Sequence, residues 1–425
     1  MARIRTIQDV VDYRLCIGCG ACIHVLGQDA GRMVDFPHLG LRPVFARDIE
    51  PDENHRALSV CPGVRVEVDT EHAPTGYNGA KGFNDPHAGR GLAVWEGYAA
   101  DPELRSSGSS GGIISALSVY CIDKLGVDFV SHVGMDPDKP WKNRNIISRT
   151  RSEVLRGSGS RYAPSSPCLS LSEIETADGK SVFVGKPCDA AAVALVLKQK
   201  PELATKVAAV ISFFCAGTPS SGSVENLLHD ATVEIGRVRS LRFRGGGWPG
   251  RFRAVDGSGA ELVSLSYEES WGKLQSSRRL RCALCADGTG EIADIACGDA
   301  WHRHNGDGNQ GLSVVVARTK RGMEIVLGAQ KKGYIVLEPV SVDSVVLSQG
   351  SNAGLMKRRS EVWGRLLALR LLGVPHPQFK GFPLFSSWNR LSTRAKMRTV
   401  LGMVARVFRK KLLWRQNVNE TEVSQ

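Results

Sequence analysis

The sequence predicts an α/β fold with α+β elements. A small cysteine-rich N-terminal module leads into an α/β body, and a helical tail ends the chain. Three observations point there. The order strand, glycine loop, helix, strand runs through residues 92–134, and the same logic returns over residues 181–214. Three cysteines fall within the seven residues 16–22, a cluster that points to metal or redox work. From about residue 341 onward the apolar spacing becomes helical.

Residues 1–70 form the cysteine module, and residues 71–91, rich in Gly, Pro, Asn and His, read as a linker or wrapping loop. In the region 92–175, residues 92–99 read as a strand, 106–112 as a Ser/Gly loop, 113–124 as an apolar helix and 127–134 as a buried strand. The region 176–340 opens with a strand at 181–184, a turn at 185–189 and a helix at 190–198. A strand at 206–214 then runs up to Cys215. A glycine-rich turn region at 242–253, a hairpin across 257–259 and strands at 293–296 and 313–318 follow. The tail, 341–425, has helical pattern at 361–372 and a basic amphipathic helix at 394–415. In that last helix Met397, Val400, Leu401, Val404, Val407 and Phe408 share one face, among Arg394, Arg398, Arg406, Arg409, Lys410 and Lys411. The final ten residues are polar and read as a disordered end.

With 425 residues, 42% of them hydrophobic and 23% charged, the composition is that of a globular protein with two or three domains. No uncharged apolar run reaches the ~18 residues of a membrane span, and no apolar segment follows the N-terminus as in a secretory signal. The expected location is the cytoplasm. Eleven cysteines in a reducing compartment point to metal or redox chemistry rather than disulfides. The net charge of +12 suggests an acidic electron carrier, an anionic cofactor, nucleic acid or an anionic membrane surface as partner. No recognition motif accompanies the charge, so nucleic acid is set aside.

Cys16, Cys19 and Cys22 are separated by two residues each, with Gly18 and Gly20 between them. That spacing wraps three thiolates around one side of a 4Fe-4S cube, and glycines let the backbone approach the sulfides. Cys61, followed by Pro62, supplies the fourth ligand. Zinc is the alternative, but zinc favours paired CxxC units. The second set is less compact. Cys282 and Cys285 form a CxxC that suits zinc, a redox disulfide or half of a cluster site. Cys188 and Cys215 stand at expected strand ends, where ligands of α/β sheets gather. These four are candidates for a second 4Fe-4S cluster, with burial as structural cysteines the alternative for Cys188 and Cys215. Cys121, Cys168 and Cys297 are assigned to packing.

Five motifs, in order, carry a resemblance. They are Ser107-Gly108-Ser109-Ser110-Gly111-Gly112, Gly185-Lys186-Pro187-Cys188-Asp189, Phe214-Cys215-Ala216-Gly217-Thr218-Pro219, Gly247-Trp248-Pro249-Gly250 and the long run from Arg281 to Trp301. Over roughly residues 10–340 the chain resembles the beta-subunit family of deazaflavin-dependent (coenzyme F420) hydrogenases and dehydrogenases. Hydroxymethyl-chlorophyll reductases and ferredoxin-dependent vinyl reductases are its relatives. The resemblance implies a ferredoxin-like cluster module, an α/β flavin-binding body, FAD and one or more 4Fe-4S clusters. It places flavin contacts on Ser107, Gly108, Ser109, Ser110, Gly111 and Gly112, whose amides would hold phosphate at a helix start. Arg161 and Tyr162 form a second flavin loop, with Arg161 paired to pyrophosphate or an anionic substrate. Lys186 would stand beside the flavin ring as the catalytic charge. A plain capped loop and a surface lysine are the bland alternatives.

The implied function is an oxidoreductase linking a one-electron carrier such as ferredoxin to a two-electron organic substrate or a deazaflavin. The N-terminal cluster would be the port for the carrier. One alternative is a non-catalytic electron-transfer subunit of a larger complex. Another is a redox protein of cell-surface polysaccharide synthesis, with residues 394–415 resting on a membrane. The ferredoxin-like start departs from the chlorophyll enzymes, and the basic tail lies outside the shared motifs.

Overall fold

The computed structural model describes residues 4–70, 75–304, 310–350, 354–416 and 418. Its body is an eight-stranded mixed sheet. The strands are β1 (Ala93–Ala99), β2 (Phe129–Met135), β3 (Asn143–Ser148), β4 (Ser181–Gly185), β5 (Val207–Phe213), β6 (Ile295–Asp299), β7 (Ser313–Ala317) and β8 (Ile335–Val340). They lie in the order β3-β2-β4-β5-β6-β7-β1-β8. The centre, β2-β4-β5-β6, is parallel, and every pairing outside it is antiparallel.

The parallel centre is apolar on both faces because helices cover both. Val182, Val184, Ala209 and Ile211 meet the helices Ile113–Leu125 and Lys320–Lys331 on one side. The alternate residues, Phe183 and Val210, meet the helix Pro187–Gln199 on the other. This last helix starts earlier than its apolar spacing suggests. Pro187 occupies its first turn, and the Asp189 carboxylate accepts from the Lys186 amide at 3.0 Å. Cys188 therefore sits in the first turn of a helix rather than at a strand end.

The N-terminal module opens with a helix, Ile7–Asp12, fixed by a Thr6/Asp9 capping box. The helix Ala21–Leu26, a hairpin of Gly31–Phe36 with Gly40–Phe45, and the helix Pro51–Ser59 follow. Residues 75–91 wrap the body as two small hairpins.

The module and the tail are joined. Arg65–Glu67 pairs in parallel with Gln378–Lys380. Ile7, Val10, Leu15 and Ile23 share one core with Leu284, Leu369, Met403 and Val407. The basic tail helix spans Thr393–Arg409, with Ser392 as its cap, and stops short of the expected residue 415. Its expected apolar face divides. Val400, Val404 and Val407 pack on the N-terminal module, while Met397, Leu401 and Phe408 are 57%, 59% and 56% exposed. Six apolar residues on one helix span a wider arc than the module covers, so the outer edge of the stripe remains at the surface.

Among the described residues no helix is long and apolar enough to cross a membrane. The polar end expected to be disordered lies, apart from Gln416 and Val418, outside the described residues.

The shared core makes a differential prediction. Met403→Ala should destabilise the protein by about 2–5 kcal/mol, as for other buried large-to-small changes. Leu401→Ala, two residues away, should stay within about 0.5 kcal/mol. Urea unfolding of both variants measures the contrast, and equal effects would refute the packing.

Candidate functional site

Cys16 follows the first helix directly, and its amide donates to the Val10 carbonyl at 3.0 Å. The loop to Cys22 turns through Gly18 and Gly20, with φ of 76° and 87°. A Cβ on Gly18 would stand 2.6 Å from the Leu41 carbonyl oxygen, so the loop needs glycine for space as well as torsion. Cys61 arrives from the end of the helix Pro51–Ser59. The Cys22 thiol lies within electrostatic reach of Cys16, Cys19 and Cys61, so the four expected residues converge. Burial pushes the thiols of Cys16, Cys22 and Cys61 up from their ordinary value. Cys19 goes the other way, chiefly because the buried Cys168 thiol hydrogen-bonds to it. Cys168, expected only to pack, thus belongs to the surroundings of this set. Its amide also donates to the Cys19 carbonyl at 2.9 Å.

The second set converges as well. Cys215 is within reach of Cys282 and Cys285, and Cys188 is within reach of Cys215 and Cys285. Burial raises Cys215 to about 12. Among the described residues no three His, Cys, Asp or Glu side chains gather closely enough to hold a single metal ion. A thiol that ligates a metal group gives up its proton on binding, so each set of four is chemically suited to hold one.

Two arginines tie the sets together. Arg279 caps the short helix Leu280–Ala283, which carries Cys282, and donates to the carbonyl of Ile17 in the first loop. Arg281 donates to the carbonyl of Pro62, next to Cys61, at 2.8 Å.

Beside the second set lies a cavity of ≈ 290 Å³. Gly108, Ser109, Ser110, Gly112, Arg161, Tyr162 and Lys186 line it, together with Cys215. Ser107 and Gly111 are absent from that lining. The Ser107 carbonyl accepts from Arg242, and the Gly111 amide donates to Ser313 Oγ at 2.9 Å. Lys186 is no surface lysine. Its Nζ is 2.6 Å from Asp189 Oδ2, and the side chain is 12% exposed. Burial works against its charge, but Asp189 and Cys188 outweigh burial and raise it above the ordinary lysine value. Asp189 Oδ1 finds no partner among the described residues, although Asp189 is fully buried on the cavity wall. A buried carboxylate oxygen left open there asks for a donor from a ligand.

Arg161 departs from expectation. Its guanidinium donates to Asn143 Oδ1 and to the carbonyls of Leu241, Pro140 and Lys142, and lies 4.9 Å from the Phe243 ring centre. With four donors committed to protein, Arg161 is a strut of the cavity wall rather than a free partner for pyrophosphate. Other features of the wall were not evident from spacing. Arg244 pairs with Asp299 at 2.7 Å and lies 4.8 and 5.1 Å from the rings of Tyr267 and Trp301. Tyr267 and Trp301 stack at 5.2 Å, and Tyr162 and Trp271 meet at 4.9 Å. Tyr162, Tyr267, Trp271 and Trp301 line the cavity together with the glycine loop, giving flat walls that suit a planar ring system.

Comparison with known proteins bears on this arrangement. The family described as coenzyme F420 hydrogenase/dehydrogenase, beta subunit, matches in two parts. Its N-terminal model matches residues 94–173, and its C-terminal model matches residues 178–343. The second range contains Cys188, Cys215, Cys282 and Cys285, while the first cysteine set precedes both ranges. The coenzyme F420 hydrogenase subunit beta of Methanosarcina barkeri is 26% identical over 265 residues, covering 61% of this chain and 85% of its own. The protein of the same name from Methanococcus voltae is 25% identical over 285 residues, covering 66% and 95%. In fold, the chain is similar to one from the F420-reducing [NiFe] hydrogenase complex of Methanosarcina barkeri. The TM-score is 0.55 at 22% identity, over 70% of this chain and 98% of that one.

His132, also on the cavity wall, gives the site a pH signature. Burial lowers it from the ordinary 6.5 to about 4, and its Nε2 lies 2.8 Å from Ser148 Oγ. The unfolded chain protonates first, so this stability is complete above about pH 6.5 and drains away as pH falls toward 4. The gap corresponds to roughly 3 kcal/mol. His132→Gln should flatten the urea midpoint between pH 7 and 4.5 relative to the parent, and parallel profiles would contradict this.

Proposed function

This chain belongs to the coenzyme F420 hydrogenase/dehydrogenase beta-subunit family, and on that premise we propose that it is an iron–sulfur flavoprotein oxidoreductase. It would pass electrons between a one-electron carrier and a two-electron organic substrate or deazaflavin. Cys16, Cys19, Cys22 and Cys61 would hold one 4Fe-4S cluster, and Cys188, Cys215, Cys282 and Cys285 a second. FAD would occupy the cavity of the glycine loop. One observation carries the reading: Cys215 belongs both to the second thiol set and to the cavity wall. A group held in the cavity therefore lies against a group held by those thiols.

A flavin exchanges electron pairs with organic partners and single electrons with iron–sulfur clusters, which is the chemistry this pairing supplies. The chain's own residues set the conditions. Lys186, held charged by Asp189, places a fixed positive charge where the cavity meets the second set. Asp189 Oδ1 offers an acceptor to an N–H or O–H of the bound ring. Arg244, locked by Asp299 and donating to the Ser109 carbonyl, holds the glycine loop in place. Tyr267, Trp271 and Trp301 exclude water from the cavity wall.

A second reading is an electron-transfer subunit of a larger assembly. The names of the relatives as subunits favour it, as does the exposed row of Met397, Leu401 and Phe408. On either reading the cofactors are the same.

Protein purified gently without oxygen should be brown, with flavin and iron–sulfur absorption. Cys22→Ser and Cys215→Ser should each remove about half of the iron and sulfide, as two independent four-thiolate sites require. Intact iron with no flavin would sink the oxidoreductase reading. Unchanged iron in Cys215→Ser would sink the second cluster.

A further inference from the structure

A cleft of ≈ 1370 Å³ opens between the N-terminal hairpin, the Cys282 helix and the tail helices. Eleven lysine and arginine side chains line it, against two carboxylates. Both carboxylates are already engaged: Asp230 with Lys273 at 3.2 Å, and Glu361 with Arg365 and Arg398. The cations crowd one another. Burial and then Arg358 lower Arg278, and Arg406 adds to the burial that lowers Arg365. On the inner wall Arg279 is 8% exposed, and its Nε and Nη2 find no partner among the described residues. Such a concentration of buried and half-buried charge is costly without an anion.

The floor of the cleft is redox ground. Cys282 lines it, and Arg358, another lining residue, donates to the Cys215 carbonyl at 2.8 Å. We propose that this cleft seats an acidic segment of a small one-electron carrier protein, so that electrons enter at Cys282 of the second thiol set. The volume exceeds the ~300–1,000 Å³ of typical small-molecule pockets, and aromatic side chains are absent from its lining, which favours an acidic protein segment over a compact organic ligand. The entry port thereby moves away from the N-terminal set, which the tail helix packs against. The transfer is outer-sphere: the reduced carrier loses one electron, the cluster on the second set gains it, and no bond forms. Two such events supply a two-electron substrate. This proposal rests on the iron–sulfur flavoprotein reading above.

The test uses anaerobic holoprotein and a reduced plant-type ferredoxin as the probe, followed by stopped flow. Lys357, Arg409 and Lys410 line the cleft and are exposed, so their joint replacement by Glu leaves the core intact. A control reverses the same number of exposed charges at Lys320, Lys331 and Lys332, on the helix and turn beside β8. The parent's second-order rate should fall with rising salt, and the cleft variant should lose about tenfold or more at low salt. The control, and reduction of all three proteins by dithionite, should stay within about twofold. Equal losses in control and cleft variant, or no loss in either, would overturn the proposal. So would an unchanged ferredoxin rate in a cleft variant that no longer floats with anionic phospholipid vesicles, because the cleft then faces a membrane. Holoprotein with iron and flavin that ferredoxin does not reduce refutes the docking alone. Absence of the cofactors refutes the reading beneath it.

Discussion

Arg279 and Arg281 reach from either side of Leu280 on the Cys282 helix into the loops that hold Cys16 and Cys61. Both guanidinium groups are buried, and each meets a backbone carbonyl rather than a carboxylate. Carbonyls satisfy hydrogen bonds but leave the charge uncompensated, and an unpaired buried charge costs several kcal/mol. Arg42, buried against the same loops, adds a third positive charge near Cys16 and Cys282. The thiols lie within electrostatic reach of them: Cys16 of Arg42 and Arg279, and Cys285 of Arg281. Thiolates ligating an anionic cluster would balance these arginines, so the fold is organised around charges that its own side chains leave open. The position of the N-terminal module on the body follows from this contact as much as from its hydrophobic core.

Elsewhere, several buried charges are paired within the protein. Lys186 with Asp189, Arg244 with Asp299 and Arg359 with Glu291 are each paired, and each fixes a wall or loop. Arg359, on the helix Gly354–Leu371, joins that helix to the loop after Cys285, where Asp287 accepts the amides of Thr289, Gly290 and Glu291. Burial raises Asp287 to about 6, with Glu291 adding to it. The cavity and the basic cleft each reach the second set, the cavity at Cys215 and the cleft at Cys282.

Some of this was legible in the sequence. The compact first set declares itself because its ligands are local, with glycines wherever the loop must turn. The sheet centre is legible because β4 and β5 are apolar at nearly every position, as strands covered on both faces must be. Cys188, Cys215, Cys282 and Cys285 were grouped from one CxxC and two expected strand ends, and the family motifs strengthened the grouping, since no local spacing links residues so far apart. Arg161 was misread for a related reason: a glycine-flanked arginine looks like an anion binder until its four acceptors, drawn from separate segments, are known. The union of module and tail was invisible. Arg65–Glu67 and Gln378–Lys380 are three-residue strands whose pairing has no signature in either segment. Arg244, Asp299 and the aromatic wall escaped notice because they are assembled only by the sheet order.

That union of the two ends has a consequence in time. Chains are made from the N-terminus at about 5–20 residues per second, and domains tend to fold as they emerge. Here the first thiol set leaves the ribosome early, but Leu369, Met403 and Val407, which complete its core, are among the last residues made. During synthesis the loop of Cys16, Cys19 and Cys22 stands without its cover. A group delivered to those thiols in that interval would meet them uncovered, and docking of the tail then closes the core beside them. A chain truncated before the tail would keep the ligands and lose the seal, exposing whatever those thiols had acquired to oxygen.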